Sequence, residues 1–384
     1  MTCIVLHFSH ENAANYPVAG IPAAARAVHQ VALAADEGQQ VGRCVVAVPG
    51  GWAPSQWCRA ELTRLAPHLD VQLADWDGIR TAAGMLHISG EELIPARTIA
   101  GLQLQPSPPP TVTTDAAPSL EGMLRNLRLK GDAIIAATVK PGDGIVSRHF
   151  NRPISRLISR TLLRFPGVRP FHATMAAAIL GIAMAGCLFA GGKQGLVIGA
   201  VLFQLASIVD GVDGEMARAT YRSSHRGAML DSMTDAATNL SFFAGVSFNL
   251  WSRGQHLPAA AGATGLVLLS VGLLLIGRQA RRTQGPFTFD AVKEHLAANP
   301  SRLKQWLTWL TMRDFYAAAA AIAVIGGFAS QMLVLFAAAV AVWLAVSMTV
   351  LARPAGSSNA ARLLSGTSAD ASGSSGPPPP PSRS

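Results

Sequence analysis

Four aspartates stand close together in a part of the chain that is otherwise strongly apolar. They lie in the stretch DGVDGEMARATYRSSHRGAMLDSMTD and are Asp210, Asp213, Asp231 and Asp235. A carboxylate inside a membrane-crossing helix costs roughly 2.5–3.5 kcal/mol on insertion scales, and like charges repel one another. Acids in such a place indicate a function that requires them.

The spacing of the acids predicts that they meet. Asp210 and Asp213 are three residues apart, and Asp231 and Asp235 are four residues apart. Both spacings put a pair of side chains on one face of a helix. A short polar turn joins the two helices, so we expect them to be antiparallel. The four carboxylates then converge on one small volume at the edge of the membrane.

Such a cluster needs protons or cations to neutralise it. Two divalent ions would balance four carboxylates, and ligands that are all oxygen favour Mg²⁺ or Mn²⁺ over zinc. A two-metal site can hold the attacking and leaving oxygens of an in-line displacement at phosphorus, and Arg218 can reach a phosphate there. The alternative is an acidic helix end neutralised by Arg222 and Arg226, which explains one or two aspartates but not four.

Composition places the chain in a membrane. Half of its 384 residues are apolar and only 14% are charged, against roughly 25% in soluble domains. The 31 Lys and Arg exceed the 22 Asp and Glu, which gives a net charge of +9. Many basic residues flank apolar segments, which is typical of membrane orientation. We therefore expect no nucleic-acid partner.

Six apolar segments are long enough for the roughly 20 residues that a bilayer crossing needs. They are 171–192, 194–217, 228–251, 257–277, 314–331 and 332–352. Lys193 and Arg253 are the basic residues of the loops on one side, and the remaining arginine groups fall on the other. By the positive-inside rule, both termini and the aspartate loop are cytoplasmic. We therefore predict an integral protein that crosses the cell inner membrane several times.

Residues 139–170 precede these segments and contain arginine at every fourth position. This pattern predicts a basic amphipathic helix that lies on an anionic lipid membrane. A solvated helix face is the alternative. The repeat consists of Arg148, Arg152, Arg156, Arg160 and Arg164.

Residues 1–138 have the pattern of a soluble α/β domain. The runs CIVLHF, RCVVAVP, DVQLA, GMLHIS and DAIIAATV predict strands, and IPAAARAVHQVALAADEG and SQWCRAELTRLAPHL predict helices. Their alternation favours a mostly parallel, Rossmann-like sheet with helices on both faces. LQPSPPPTVTTDAAPS predicts a surface loop, residues 300–312 an interfacial helix, and 353–384 a disordered tail.

The aspartate region resembles the CDP-alcohol phosphotransferase family. The family pattern D-x2-D-G-x2-A-R-x8-G-x3-D-x3-D is complete here. The resemblance implies an all-α membrane domain of six transmembrane helices at 171–352, usually dimeric, with two metal ions. It also implies transfer of a substituted phosphate from a CDP-linked donor to an alcohol acceptor, with release of CMP.

The resemblance also implies roles for individual residues. Asp210, Asp213 and Asp231 would hold the metals, and Asp235 would be both a ligand and the base for the acceptor hydroxyl. The segment PFHAT keeps Pro170 and Thr174 of a family motif but lacks its asparagine. The residues implied to line the CDP site, besides Asp210 and Asp213, are Thr174, Gly214, Ala217, Arg218 and Gly227.

Upstream, KPGDGIVSRHFNRPISRLISRTLL is similar to the junction of proteins that fuse a cytidylyltransferase domain to this membrane domain, including bifunctional enzymes of inositol-phosphate metabolism. VAGIPAAARAVHQVALA and GMLHISGEELI are similar to parts of such a nucleotidyltransferase-like domain. The Gly-rich phosphate loop expected after the first strand is replaced by SHENAANYP, and ISGEE stands where a metal-binding aspartate is expected. We therefore expect a degenerate, non-catalytic relative.

These observations favour a metal-dependent membrane phosphotransferase of phospholipid synthesis, using CDP-diacylglycerol or another CDP-alcohol. The first alternative is an ion-coupled transporter that uses the acids as an ion path, although transporter acids tend to be dispersed near mid-span. In the second alternative, the soluble domain carries the activity and the membrane part only anchors it. Three arginines at the end of the fourth apolar segment either hold an acceptor phosphate or only set the membrane topology. They are Arg278, Arg281 and Arg282.

The lost phosphate loop leads to an expectation about the two parts of the chain. Residues 1–138 should neither bind nor hydrolyse CTP. A chain that starts near Lys140 should keep the transferase activity, because all identified chemistry lies after Pro170.

Overall fold

The chain folds into an N-terminal part built around a parallel sheet and a C-terminal part that is mostly helical. The computed structural model describes residues 2–37, 41–76, 79, 85–102, 119–140, 143–283 and 313–351. Most of the Pro-rich loop, the predicted interfacial helix at 300–312 and the predicted tail at 353–384 lie outside the described residues.

The N-terminal part alternates strands and helices as the sequence pattern predicts. Its elements, in chain order, are β1 (Thr2–His7), α1 (Glu11–Asn15), β2 (Pro17–Val18), β3 (Ile21–Pro22), α2 (Ala23–Asp36), β4 (Val41–Val48), α3 (Gln56–Leu65), β5 (Asp70–Asp75), β6 (Met85–Ser89), α4 (Ala96–Gly101) and α5 (Leu120–Ala137).

Four of these strands form one parallel sheet in the order β5-β4-β1-β6. Alternate residues of β1 point to opposite faces, as the pleat of a strand requires. Ile4 and Leu6 belong to the large apolar core that includes Val28 of α2. Val5 packs on the other face with Val45. The predicted strands in this region are confirmed, with one exception.

The segment DAIIAATV is helical, so its prediction as a strand was wrong. It forms the last turns of α5, where Met123, Leu127, Gly131 and Ile135 are buried at intervals of four residues. That interval is the period of a helix face. The Ser119 side chain accepts a hydrogen bond from the Gly122 N–H and caps the start of the helix.

The C-terminal part contains a short helix and then six longer ones. A π-helical turn (Ser147–Asn151) leads into α6 (Arg152–Leu162). The six that follow are α7 (Pro170–Ala190), α8 (Gly192–Ala219), α9 (His225–Ser252), α10 (His256–Thr283), α11 (Arg313–Ile325) and α12 (Ala329–Leu351).

Each predicted apolar segment coincides with one of these six helices. Two of them, α7 and α8, are long and apolar enough to cross a membrane. Shorter apolar stretches occur at His256–Gly272, Asp314–Ile325 and Ala329–Ala345. The last two helices separate around Gly327, which has a φ of +85°, and not at residue 331 as predicted. Glycine tolerates this left-handed conformation and ends α11 early.

The arginine repeat does not form one continuous basic face. Arg152 is buried, and Arg160 pairs with Asp132 of α5 at 3.2 Å. Arg148 and Arg164 are exposed. A four-residue step turns by about 40° more than one helical turn, so a repeat over five arginines winds around the helix. The winding turns Arg152 toward the protein interior.

Candidate active site

The predicted acidic site is built on the hairpin of α8 and α9. Asp210 lies on α8, and Asp231 and Asp235 lie on α9. One carboxylate oxygen from each of the three lies within 4.8 Å of the others, and all three side chains are half-buried. The structure therefore brings together acids that are up to 25 positions apart in the sequence.

The fourth acid, Asp213, is not part of this group of three. Its side chain is buried, and the Thr174 hydroxyl of α7 donates a hydrogen bond of 2.6 Å to its Oδ2. Thr174, for which the family resemblance implies a CDP contact, thus contacts the acidic motif directly. The bond links α7 to α8 at the level of the acids.

Local capping fixes where α9 begins. The Ser224 side chain accepts a hydrogen bond of 3.1 Å from the Gly227 N–H. This is the usual contact of an N-cap serine with the third residue of a helix. A Cβ added at Gly227 would lie 3.0 Å from Ser224 Oγ, so glycine keeps this cap compact. Asp231 and Asp235 follow one and two turns later.

Gly214 and Arg218 are neighbours on α8. A Cβ at Gly214 would lie 3.0 Å from Arg218 Nη1, so the glycine leaves space in which the guanidinium lies against the helix. Arg218 Nε donates a hydrogen bond of 2.8 Å to the carbonyl of Thr138. The guanidinium predicted to contact CDP is therefore oriented by the chain segment that follows α5.

Glu215 is a site-adjacent residue that the sequence reasoning missed. It is fully buried, and its two oxygens accept hydrogen bonds from the Ser155 and Ser159 hydroxyls, both at 2.7 Å. Arg152 Nη1 lies 3.0 Å from Glu215 Oε1, and Arg152 Nε lies 2.8 Å from Asp143. The signal in the sequence is the Arg152, Ser155, Ser159 spacing, which puts three polar groups on one face of α6.

These contacts lock α6 to the helix that carries Asp210. Arg152 Nη1 also donates to the Gly211 carbonyl at 3.3 Å. Burial alone would lower the pKa of Arg152, but its hydrogen bonds to Asp143 and Glu215 outweigh this and raise the pKa above its usual value. Arg152 therefore stays charged and balances two carboxylates.

We expect the Arg152→Ala variant to lose stability. It leaves the buried Glu215 carboxylate without its cation, and removing one partner of a buried pair costs about 3–5 kcal/mol. Thermal unfolding of the solubilised protein measures the loss. Arg160→Ala is the matched control, because its pair with Asp132 is about a third exposed and an exposed pair contributes about 0–1 kcal/mol. Equal melting temperatures for the two variants would contradict this role for Arg152.

A second polar group lies beside the acids, between α8, α11 and the π-helical turn. Asp314 Oδ1 accepts hydrogen bonds from Asn151 at 3.0 Å and from Ser207 at 3.1 Å. Gln204 donates to Asn151 at 2.8 Å. Ser207 is one turn before Asp210, so this network ties the acid-bearing face of α8 to the start of α11. Sequence reasoning did not predict it.

The basic residues proposed for an acceptor phosphate lie at the C-terminal end of α10. Arg278 is exposed. The side chains of Arg281 and Arg282 lie outside the described residues. The acceptor role of these three arginines therefore stays a prediction.

The edge of the sheet where related folds bind nucleotides is occupied by the protein's own side chains. In open α/β sheets that place is beyond the carboxyl ends of the strands at the switch in strand order, here β1 and β6. The Ser9 N–H donates to Glu91 Oε1 at 2.8 Å, and the Ser9 hydroxyl also donates to it. A Cβ at Gly90 would lie 2.2 Å from Phe8. Among the described residues, these contacts fill the edge beside β1 and β6.

The charges at this edge also disfavour a triphosphate. Lys130 Nζ donates to the carbonyls of Glu91 and Glu92, at 3.1 and 2.7 Å. His7, whose Nε2 lies 2.6 Å from His87 Nδ1, is buried. Burial, and then the neighbouring His87, lowers the pKa of His7 to about 4, so it is neutral at pH 7. His7 therefore offers no cation to a phosphate there, and two of the three N–H groups of Lys130 are already bound to backbone carbonyls.

Comparisons with known proteins agree with the acidic motif. Residues 168–351 match the CDP-alcohol phosphatidyltransferase family, and this range contains α7 to α12 and all four aspartates. A bifunctional IPC transferase and DIPP synthase of Thermococcus kodakarensis is 36% identical over 153 residues, which are 40% of this chain and 33% of that protein.

Two further relatives have the same name. The bifunctional IPC transferase and DIPP synthase of Rubrobacter xylanophilus is 40% identical over 152 residues, 40% of this chain and 32% of that protein. That of Aquifex aeolicus is 31% identical over 150 residues, 39% of this chain and 32% of that protein. The matches span about a third of the length of these curated relatives. By the family match, residues 168–351 are a CDP-alcohol phosphatidyltransferase domain.

Proposed function

We propose that this protein is a metal-dependent membrane phosphotransferase. It moves a substituted phosphate from a CDP-linked donor to an alcohol acceptor and releases CMP. The observation that supports this most strongly is the meeting of Asp210, Asp231 and Asp235 within 4.8 Å, inside the range that matches the family. Among the residues that the structure describes, no other group of three His, Cys, Asp or Glu side chains lies close enough together to hold a metal ion.

The donor set fits a hard divalent cation. Mg²⁺ binds oxygen ligands at about 2.0–2.1 Å, so two ligands on opposite sides of one ion are about 4.2 Å apart. Oxygens already within 4.8 Å of one another need only small side-chain rotations to share an ion. We assign Asp210, Asp213 and Asp231, together with Asp235, to two Mg²⁺ or Mn²⁺ ions. Bound there, such ions would neutralise the diphosphate of the donor.

The protein's own residues orient the donor. Thr174 holds Asp213 through its 2.6 Å hydrogen bond. Gly214 and Gly227 lack side chains, which lets a nucleotide approach the backbone. Arg218, lying over Gly214, is placed to contact a phosphate, and Ala217 completes the lining.

Asp235 accepts the proton of the acceptor hydroxyl. As the proton leaves, the hydroxyl oxygen forms a bond to the phosphorus that carries the donor's alcohol. The bond between that phosphorus and the oxygen of CMP breaks, and CMP leaves with the electron pair. Proton removal of this kind contributes about 10²–10⁴-fold to a rate.

The helices α7 to α12 form the membrane domain in this proposal. The apolar lengths of α7 and α8 support it, as do the apolar side chains exposed on α7, among them Ile179 and Ile182. We propose six crossings, with both termini and the acids on the cytoplasmic side of a cell inner membrane. By the family resemblance, two copies associate. The domains would be 1–138, 139–170, 171–352 and a tail at 353–384.

The substrate class is a further part of the proposal. A membrane location places the active site where a lipid donor such as CDP-diacylglycerol is present, which favours a role in phospholipid synthesis. The relatives are named as transferase and synthase in one chain, and we assign only the transfer reaction to this protein. A phosphate-bearing alcohol is the proposed acceptor, and Arg278, Arg281 and Arg282 near the end of α10 are the residues proposed to hold its phosphate.

The central experiment supplies the purified protein with CDP-diacylglycerol and a panel of alcohols, with and without a phosphate group. CMP release that depends on one alcohol is the expected result. The Asp231→Asn variant is the control for the acidic site and should release little CMP. If no alcohol supports CMP release while the protein moves ions across vesicle membranes, the acids serve transport instead.

We expect no cytidylyltransferase activity. The full-length protein, given CTP, an alcohol phosphate and Mg²⁺, should release no pyrophosphate above background. A triphosphate needs a row of backbone N–H groups and a nearby cation, whereas the Ser9 N–H is bound to Glu91. CMP release from a CDP-linked donor by the same preparation is the control for an active sample. Sustained pyrophosphate release would show that the N-terminal domain is a working enzyme.

A further inference from the structure

The turn between the two acid-bearing helices is held by the N-terminal domain. Arg26 of α2 donates from Nη2 to the Ala219 carbonyl at 2.7 Å. Arg64 of α3 donates to the Thr220 carbonyl at 2.9 Å and to the Tyr221 carbonyl at 3.2 Å. The last carbonyls of a helix lack partners within it and carry partial negative charge. Two arginines from another domain therefore cap α8.

Tyr221 is the centre of this contact. Its backbone has a φ of +52°, a left-handed conformation that is uncommon outside glycine. Its hydroxyl accepts hydrogen bonds from Arg26 at 3.3 Å and from Gln30 at 3.2 Å. The Arg26 guanidinium lies 5.2 Å from the centre of its ring, and the His29 ring centre lies 4.4 Å away. Contacts with the N-terminal domain hold the turn in this conformation.

An ion-pair chain continues the same interface. Glu61 of α3 is buried, and its two oxygens pair with Arg64, at 2.6 Å, and with Arg222 just after the turn. Glu61 thus both orients Arg64 toward the end of α8 and binds the turn itself.

Arg26 is placed for this contact. It is 2% exposed, and its remaining described hydrogen bonds go to the carbonyls of Val18 and Ala19 in the β2–β3 hairpin. Gly20 of the same hairpin has a φ of +81°, and a Cβ there would lie 2.6 Å from Leu163 and 3.0 Å from Thr220. The hairpin and the helix end are packed with no room for a side chain between them.

We propose that the N-terminal domain acts as a non-catalytic positioning partner of the transferase site, with Arg26 and Arg64 as its positioning residues. They hold the α8–α9 turn and thereby the spacing of Asp210 from Asp231 and Asp235. This inference rests on the proposed function of the acidic site. It gives a role to a domain that lacks the expected Gly-rich phosphate loop.

The position of the turn between α8 and α9 affects the distances between the acids. Asp210 lies nine residues before Ala219, or about 14 Å along α8 at 1.5 Å per residue. Asp231 lies seven residues after Ser224, or about 10 Å along α9. The turn is the covalent link between these two arms, so a change in it moves the arms relative to each other. A misplacement of about 1 Å can cost on the order of 10²-fold in rate.

The proposal reverses the earlier expectation for a truncated chain. A chain that starts near Lys140 keeps the acids but lacks Arg26, Arg64 and Glu61. We now expect such a chain to be impaired in turnover, although it retains every residue assigned to the chemistry.

The test compares full-length variants in one lipid preparation. Arg26→Ala combined with Arg64→Ala should lower kcat per folded molecule by about 10²-fold and raise the Mg²⁺ concentration needed for half-maximal activity. Single Lys substitutions, which keep the charge and some donors, should restore part of the rate. Arg43→Ala is the matched control, because Arg43 pairs with Asp70 in the same domain and both side chains are about half exposed. It should change neither quantity.

Two outcomes would overturn the proposal. One is a kcat and a Mg²⁺ requirement within about twofold of the wild type in the double variant, normalised to folded protein. If the double variant does not fold, the single variant Arg64→Ala tests the proposal, because Arg64 is partly exposed. The second outcome is a kcat and a Mg²⁺ requirement in Arg64→Ala that equal those of the wild type.

A measurement without turnover separates this proposal from the proposed function. Mn²⁺ binding to the acids, followed by electron paramagnetic resonance, should be weaker in the double variant than in the wild type and in Arg43→Ala. Weaker binding in a protein that transfers no phosphate would support the positioning role while overturning the transferase. Unchanged Mn²⁺ binding and unchanged kcat would overturn the positioning role alone.

Discussion

The Asp235→Asn variant is expected to lose measurable turnover while its affinity for the CDP-linked donor stays within about tenfold of the wild type. Asparagine keeps the size of the side chain but cannot accept the proton of the acceptor hydroxyl. Loss of general-base assistance typically costs about 10²–10⁴-fold. Asp210, Asp213 and Asp231 remain to hold the donor's cations. Rates of CMP release and equilibrium donor binding measure the two effects.

Asp132→Asn is the matched control for this variant. Asp132 pairs with Arg160 on a partly exposed surface, outside the acidic group, and its replacement should leave turnover unchanged. Near-normal turnover in Asp235→Asn would remove Asp235 from the base role. A loss of donor binding as large as the loss of rate would make it a structural ligand only.

Removal of divalent cations is expected to abolish activity completely. The acids of the site offer only carboxylate oxygens, which suit Mg²⁺ and Mn²⁺, whereas zinc sites in proteins are commonly built from nitrogen and sulfur ligands. CMP release should therefore stop in excess chelator, return with Mg²⁺ or Mn²⁺, and return poorly or not at all with Zn²⁺. Titration of the chelated protein with each ion gives the comparison.

The matched control for the cation experiment is thermal unfolding of the chelated protein. An unchanged melting temperature would show that the lost activity reflects the site and not unfolding. Full CMP release in excess chelator would rule out the two-ion mechanism. It would also favour the alternative in which the four aspartates form an ion path of a transporter.

Much of the site could be predicted because its acidic residues follow the spacing of helix faces over short stretches of sequence. The intervals between Asp210 and Asp213, and between Asp231 and Asp235, are helical, and a short turn brings the acid-bearing ends of the two helices together. The apolar segments likewise predicted the helices α7 to α12, with ends that differ by at most six residues. Local periodicity suffices for both.

The errors came where a short window was ambiguous. DAIIAATV has the composition of a buried strand, and only the spacing from Met123 to Ile135 reveals the helix. The arginine repeat likewise suggested one exposed face. The four-residue repeat instead winds around the helix, and Arg152 faces inward, where it pairs with the buried Glu215.

The domain contacts could not be predicted at all. Arg26 and Ala219 are 193 positions apart, and neither belongs to a motif. An arginine that caps a distant helix has no characteristic spacing, because its partner is a backbone carbonyl that any residue provides. Such contacts follow from the packing of whole elements and become visible only in the folded chain.

Equilibrium isotope exchange tests the central claim most directly. The reaction is first run to equilibrium with an active alcohol, and a trace of labelled CMP is then added. Transfer through a CDP-linked donor predicts that the label enters that donor in the presence of Mg²⁺, and that it does not enter when Asp235→Asn is added to a mixture of the same composition in place of the wild type. Label that stays in CMP, while the wild-type protein is folded and loaded with Mg²⁺, would contradict the proposed reaction.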